Sequence, residues 1–126
     1  MHPGDAPHGD VGVVDKADIL FAYSNSGKTR EVIELVHFCR HLGVQTIVTM
    51  TGVADSPLAN LSDIVLEIGR IIEPCPLGFT PSASTSAMLA LSDAIALVVM
   101  EEKGFSKDDF AARHHGGYLG QKSREN

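Results

Sequence analysis

The sequence has no tryptophan, only five Phe and two Tyr, two cysteines, and ten Lys and Arg against 16 Asp and Glu. Each shortage excludes something. Cys39 and Cys75 form no CxxC pair and no His/Cys spacing suits zinc, so a disulfide framework and a zinc module drop out and a reduced, cytoplasmic setting is expected. With a formal net charge of -6 and no Lys/Arg stripe, the chain offers no electrostatic footprint to nucleic acid or to an anionic membrane. No uninterrupted apolar run approaches the ~20 residues that span a bilayer, and the opening Met1-His2-Pro3-Gly4-Asp5 cannot serve as a signal peptide. What is present is 126 residues, 44% of them hydrophobic, enough for one domain with its own core.

Residues 1–17 are rich in Gly, Pro, Asp and His and read as a loop. A short continuous apolar run, Ile19 to Tyr23, reads as a strand buried on both faces, the kind found in parallel sheets. From Thr29 to Leu42, Val32, Leu35, Val36, Cys39 and Leu42 recur at helical spacing, with Gly43 just past the helix end. The unit repeats with a strand over Thr46 to Met50, a brief helix near Leu58 to Leu61 announced by Ser56-Pro57, and a strand over Ile64 to Ile68 ending at Gly69. Three prolines make Glu73 to Pro81 irregular. Pro81 and the Ser/Thr cluster then open a long helix to about Lys103, apolar on nearly every face and therefore expected to be buried. Ser106 and Asp109 mark one more short helix that fades into His114, His115, Gly116 and Gly117. Alternating strands and helices predict a three-layer αβα sandwich around a parallel sheet. Three strands are few, so the chain is expected either to be a shortened version of its fold or to have its exposed edge covered by another subunit.

The strongest chemical signal is Ser24-Asn25-Ser26-Gly27-Lys28-Thr29, which follows the first buried strand and opens a helix. Hydroxyls, a glycine and unpaired amides at a helix N-terminus suit a phosphate, because both the free N–H groups and the helix dipole favour negative charge there. The carboxyl end of a parallel strand is also where open α/β sheets bind ligands. His37 and His41, four apart, read as a solvated face rather than a metal pair, and Asp93 as a structural acid.

This turn resembles the SNSGxT signature of the sugar isomerase (SIS) domain, and three more segments resemble its arabinose 5-phosphate isomerase branch. They are His2 to Asp10; Glu73-Pro74-Cys75-Pro76-Leu77-Gly78 with Thr80 to Ser86; and Phe110 to Gly120, with Arg113-His114-His115-Gly116-Gly117 at its centre. The resemblance covers nearly the whole chain. It departs at Lys28, where most members carry glutamate, at His115, where they carry proline, in the first strand-helix unit with its own phosphate loop, and in the regulatory CBS pair, both of which are missing here.

The resemblance implies an isomerase interconverting D-ribulose 5-phosphate and D-arabinose 5-phosphate, the latter a precursor of the eight-carbon acid Kdo of lipopolysaccharide and some capsules, with no cofactor. On that basis Ser24, Asn25, Ser26, Gly27, Lys28, Thr29, Ser84 and Thr85 would hold the phosphate, and His8 is a further candidate for the substrate site. Glu73 would be the base at carbon and His114 the acid/base at oxygen. Related SIS enzymes place the site between subunits, so a homo-oligomer is implied. The competing expectation is a phosphosugar or nucleotide-sugar binding module that turns nothing over, motivated by the missing loop and by the charge of Lys28.

Overall fold

The computed structural model describes residues 1–114 and 116–124; His115 lies outside the described residues. The chain divides into two compact units, Met1–Met88 and Leu89 onward. The first holds the sheet. Strands β1 (Ile19–Tyr23), β2 (Thr46–Thr51) and β3 (Ile64–Glu67) are all parallel in the order β1-β2-β3, so β2 is central. Helix α1 (Arg30–His41) joins β1 to β2, and the short α2 (Pro57–Asn60) joins β2 to β3. This is the expected α/β fold with its parallel sheet.

Register decides which residues share a face, because successive strand side chains alternate and paired positions point the same way. Leu20 pairs with Ile47, and Ala22 with Thr49. That face meets α1, whose Val32, Leu35, Val36 and Cys39 recur at helical spacing and form one cluster with Ala22, Val44, Ile47 and Leu58. Ala6, in a 3-10 turn at Ala6–His8, is also buried there, so the segment expected to be a plain loop contributes to the core. On the opposite face Val48 and Met50 are buried, whereas Ile19, Tyr23 and Ile64 of the outer strands are largely exposed. Asp63 ties the layers at one end: its carboxylate accepts from the Ile47 amide (2.6 Å) and from Arg40 of α1 (2.7 Å). Those bonds hold its proton affinity below the ordinary range, the Ile47 amide contributing most.

Helix α3 (Ala83–Glu102) departs from expectation. Its apolar content predicts burial, yet Ser84 is its one buried residue, and Leu89, Leu97 and Val98 are each more than half exposed. Apolar residues lie all round the helix instead of along one stripe, a pattern that calls for cover on several sides, and the described residues supply little of it. Its 20 residues also reach the length of a membrane span, although the expected absence of an uninterrupted apolar run holds. Ser84, Thr85, Ser86, Ser92 and Asp93 interrupt the run, while the mean hydropathy of an 18-residue window is 1.7 and only 6% of it is buried. By length and composition it is sufficient to cross a bilayer.

The second unit adds α4 (Lys107–Arg113) and α5 (Gly117–Lys122). Helix α4 starts at the expected residues: the Ser106 hydroxyl accepts from the Asp109 amide while the Asp109 carboxylate accepts from the Ser106 amide. Helix α5 is absent from the sequence expectation, since Gly116-Gly117 is a poor helix opening.

Candidate functional site

The phosphate-type turn sits where β1 ends and α1 begins. Gly27 has φ +62°, and a Cβ placed on it would collide with the Ser56 hydroxyl at the start of α2. Only glycine fits both demands. The Gly27 carbonyl accepts from the Leu58 amide (3.0 Å), so turn and helix α2 are fastened together. Neighbouring strand ends join in: the Asn25 carbonyl accepts from the Gly52 amide (3.0 Å), and the Ser24 amide donates to the Met50 carbonyl (3.1 Å). Ser24 is buried, its hydroxyl paired with that of Thr29 at 2.8 Å. Thr29 therefore does not cap α1 with its side chain. The Ser26 hydroxyl accepts from the Lys28 amide at 3.1 Å and is otherwise exposed.

Across from the turn, the Pro-rich loop places Glu73 against the first turn of α3. One carboxylate oxygen accepts from the amides of Ser82 (2.9 Å) and Ala83 (2.8 Å) and from the Ser82 hydroxyl (3.1 Å). The other accepts from the Ser84 amide (3.3 Å) and the Ser84 hydroxyl. Glu73 is thus the internal anion of a five-donor cradle at a helix N-terminus. These bonds, the Ser84 hydroxyl foremost, overcome the cost of burial and lower its pKa to about 2.

Asn25, Ser26 and Thr29 on one side, and Glu73, Ser84 and Thr85 on the other, line a single cleft of about 440 Å³. Its apolar wall comes from Ile71, Phe79 and Met88, which nothing in the sequence pattern singled out. That volume is in the range of small-ligand sites. Six of the sequence candidates are therefore brought together. Ser24 and Gly27 instead support the turn from beneath, and neither Lys28 nor His8 lines the cleft. Thr85 spends its hydroxyl on the Ser82 carbonyl (2.9 Å). A second feature missed by sequence reasoning is Cys75, whose thiol accepts from the Thr80 amide (3.4 Å). Hydrogen bonds from Thr80, its side chain first, lower the pKa of that thiol to about 7.

The second unit carries His114, exposed at the end of α4, with Nδ1 2.9 Å from the Phe110 carbonyl oxygen. An apolar hollow of about 430 Å³ there, lined by Met100, Phe105, Phe110 and Leu119 among others, offers few polar groups to orient a sugar. No group of three or more metal-ligating side chains occurs among the described residues.

The model of the SIS domain matches residues 1–98. This chain belongs to the SIS-domain family. It is 42% identical over 122 residues to arabinose 5-phosphate isomerase KdsD of Pseudomonas aeruginosa, covering 97% of this chain and 37% of that protein. Among solved structures it resembles a Bacteroides fragilis protein described as a phosphosugar isomerase involved in capsule formation (TM-score 0.88, 41% identity, 94% of this chain and 62% of the other). It also resembles an Escherichia coli CFT073 protein solved in complex with arabinose 5-phosphate (TM-score 0.85, 35% identity, 90% and 60%). This SIS chain thus spans a little over a third of the length of KdsD.

Proposed function

We propose that this SIS chain is the phosphosugar-binding part of an isomerase interconverting D-ribulose 5-phosphate and D-arabinose 5-phosphate, serving Kdo formation. The observation that carries the reading is the contrast between the two helix N-termini at the cleft. The cradle at α3 is filled by Glu73, whereas the first turn of α1 takes no side-chain cap from Thr29 and opens beside the Ser26 hydroxyl. A phosphate docked at α1 gains amides, a hydroxyl and the helix dipole together. Among the described residues lining the cleft there is no Lys or Arg, so hydroxyls and amides carry the recognition while Lys28, just outside, adds long-range attraction.

On this reading, as the resemblance implies, Glu73 is the base at carbon and His114 the proton carrier at oxygen. A base acts best with a pKa near the working pH, and a carboxylate at about 2 is far from that. Substrate binding has to release Glu73 from the α3 amides before it can serve. That same occupied carboxylate favours the second reading, a phosphosugar-binding module without turnover. Proton exchange separates them: ribulose 5-phosphate in heavy water, followed by NMR, should lose the signal of one C1 proton in the presence of the protein. Binding without exchange would leave the module. We further propose a homo-oligomer, since Ile19, Ile64 and the α3 side chains expose apolar surface; a monomer by light scattering at micromolar concentration would contradict it.

A further inference from the structure

Four contacts converge on His114 within its own unit. Its Nδ1 lies 2.9 Å from the Phe110 carbonyl oxygen one helical turn back, and its ring stacks on that of Phe110 with centroids 3.9 Å apart and planes 7° from parallel. Its own carbonyl accepts from Arg124 at 3.0 Å. Helix α5 approaches so closely that a Cβ on Gly120 would lie 2.5 Å from the same oxygen. An exposed histidine at a helix end ordinarily samples several rotamers and both tautomers, and this one is clasped by backbone and ring alike.

The carbonyl oxygen of Phe110 has no proton to give, so Nδ1 must carry the hydrogen and donate it. That fixes Nε2 as the lone-pair nitrogen of the neutral ring, because the bond made by one imidazole nitrogen sets the state of the other. A free imidazole side chain favours the opposite tautomer, with the hydrogen on Nε2. We propose that Phe110 is a positioning residue, holding His114 as the Nδ1–H tautomer with its plane fixed and Nε2 presented as the group that accepts and returns a proton. The inference rests on the role given above to His114 as proton carrier. It adds the residue that readies the ring and the nitrogen that acts.

The test reads the tautomer directly. Nitrogen-15 NMR of the imidazole in the full chain at alkaline pH should show Nδ1 as the protonated nitrogen and Nε2 as the bare one. Phe110→Leu keeps the backbone carbonyl and apolar bulk but removes the stack that holds the ring over that carbonyl, so the freed ring should swing away from it part of the time and the mixture should move toward Nε2–H. Phe110→Tyr, which keeps the ring, should restore the original pattern. Turnover of ribulose 5-phosphate should fall roughly tenfold in kcat for Phe110→Leu with KM little changed, as expected when a reacting group loses orientation. A dominant Nε2–H form in the unmodified protein overturns the proposal without any variant having to fold, and so does an unchanged tautomer ratio in a folded Phe110→Leu. Absence of turnover in the unmodified protein counts against the isomerase reading alone, since the nitrogen spectra decide the tautomer either way.

Discussion

Helices α1 and α3 invite comparison because both begin at the same cleft and differ in nearly everything else. Helix α1 buries Val32, Leu35, Val36 and Cys39 on one stripe and presents charged residues elsewhere, while α3 is richer in apolar residues and buries only Ser84. Apolar content alone therefore does not bury a helix; one stripe needs one neighbour, and an all-round apolar surface needs several. Their first turns differ in the opposite sense. Helix α3 starts on a built-in anion, and α1 starts on a turn with room for an external one.

The sharpest way to break the comparison is to delete matched leucines. Leu35→Ala should cost about 2 to 5 kcal/mol at any protein concentration, as for a buried leucine, while Leu97→Ala should stay within about 0.5 kcal/mol at dilution, where the proposed oligomer has come apart. Urea unfolding of both variants measures this. If Leu97→Ala proves as costly as Leu35→Ala even at dilution, α3 is covered within the single chain; a cost that appears only as concentration rises belongs to the oligomer interface.

Next in size is the joint beneath the phosphate turn. Gly27→Ala combines a left-handed backbone that disfavours any side chain with a collision against Ser56, so about 2 to 4 kcal/mol of stability should be lost. The loss should appear with weakened phosphosugar binding, because the same joint sets the turn. Stability lost with affinity kept would mean that the turn is not the ligand's anchor.

Why some of this was legible in sequence follows from the range of the interactions. Strands β1 to β3, helix α1 and the caps at Ser56 and Ser106 are written in local period and punctuation, and all appear within a residue or two of their expected ends. The occupation of Glu73 was not legible, because its bonds reach residues nine to eleven positions away through a loop with no period. Likewise the tilt of the sequence toward Gly at 116 and 117 conceals α5, which is held by packing around Gly120 rather than by propensity. The exposure of α3 was not legible either, because apolar richness reads as burial until the neighbours that would supply it are known.

The filled cradle at α3 is probed by Glu73→Gln. If Glu73 becomes the base on substrate binding, turnover should fall about 10²-fold with phosphosugar affinity nearly intact. The pH dependence of stability gives an independent reading. The folded pKa of about 2 lies below the ordinary carboxylate value, so the carboxylate stabilises the fold above pH ~4.3, and that contribution fades as pH falls toward 2. Thermal unfolding across that window should be less steeply pH-dependent in the Gln variant. An equally steep curve would show that the cradle does not hold the anion in solution.

The open first turn of α1 is tested by Ser26→Ala, the smallest of these effects. The Ser26 hydroxyl is exposed, and its one described partner is the Lys28 amide at 3.1 Å, so removing it should leave the fold almost unchanged. Its loss matters only once an anion is present, when a charge-assisted hydrogen bond disappears and affinity should drop by about 1 to 2 kcal/mol. Calorimetric titration with arabinose 5-phosphate should therefore show roughly a 5- to 30-fold weaker Kd in the variant, with no change in urea midpoint. The paired substitution Thr85→Ala should do much less, because that hydroxyl already donates to the Ser82 carbonyl at the start of α3. Equal affinities for Ser26→Ala and the unmodified chain, alongside a clear loss in Thr85→Ala, would move the phosphate from α1 to α3 and reverse the assignment of the two helix ends.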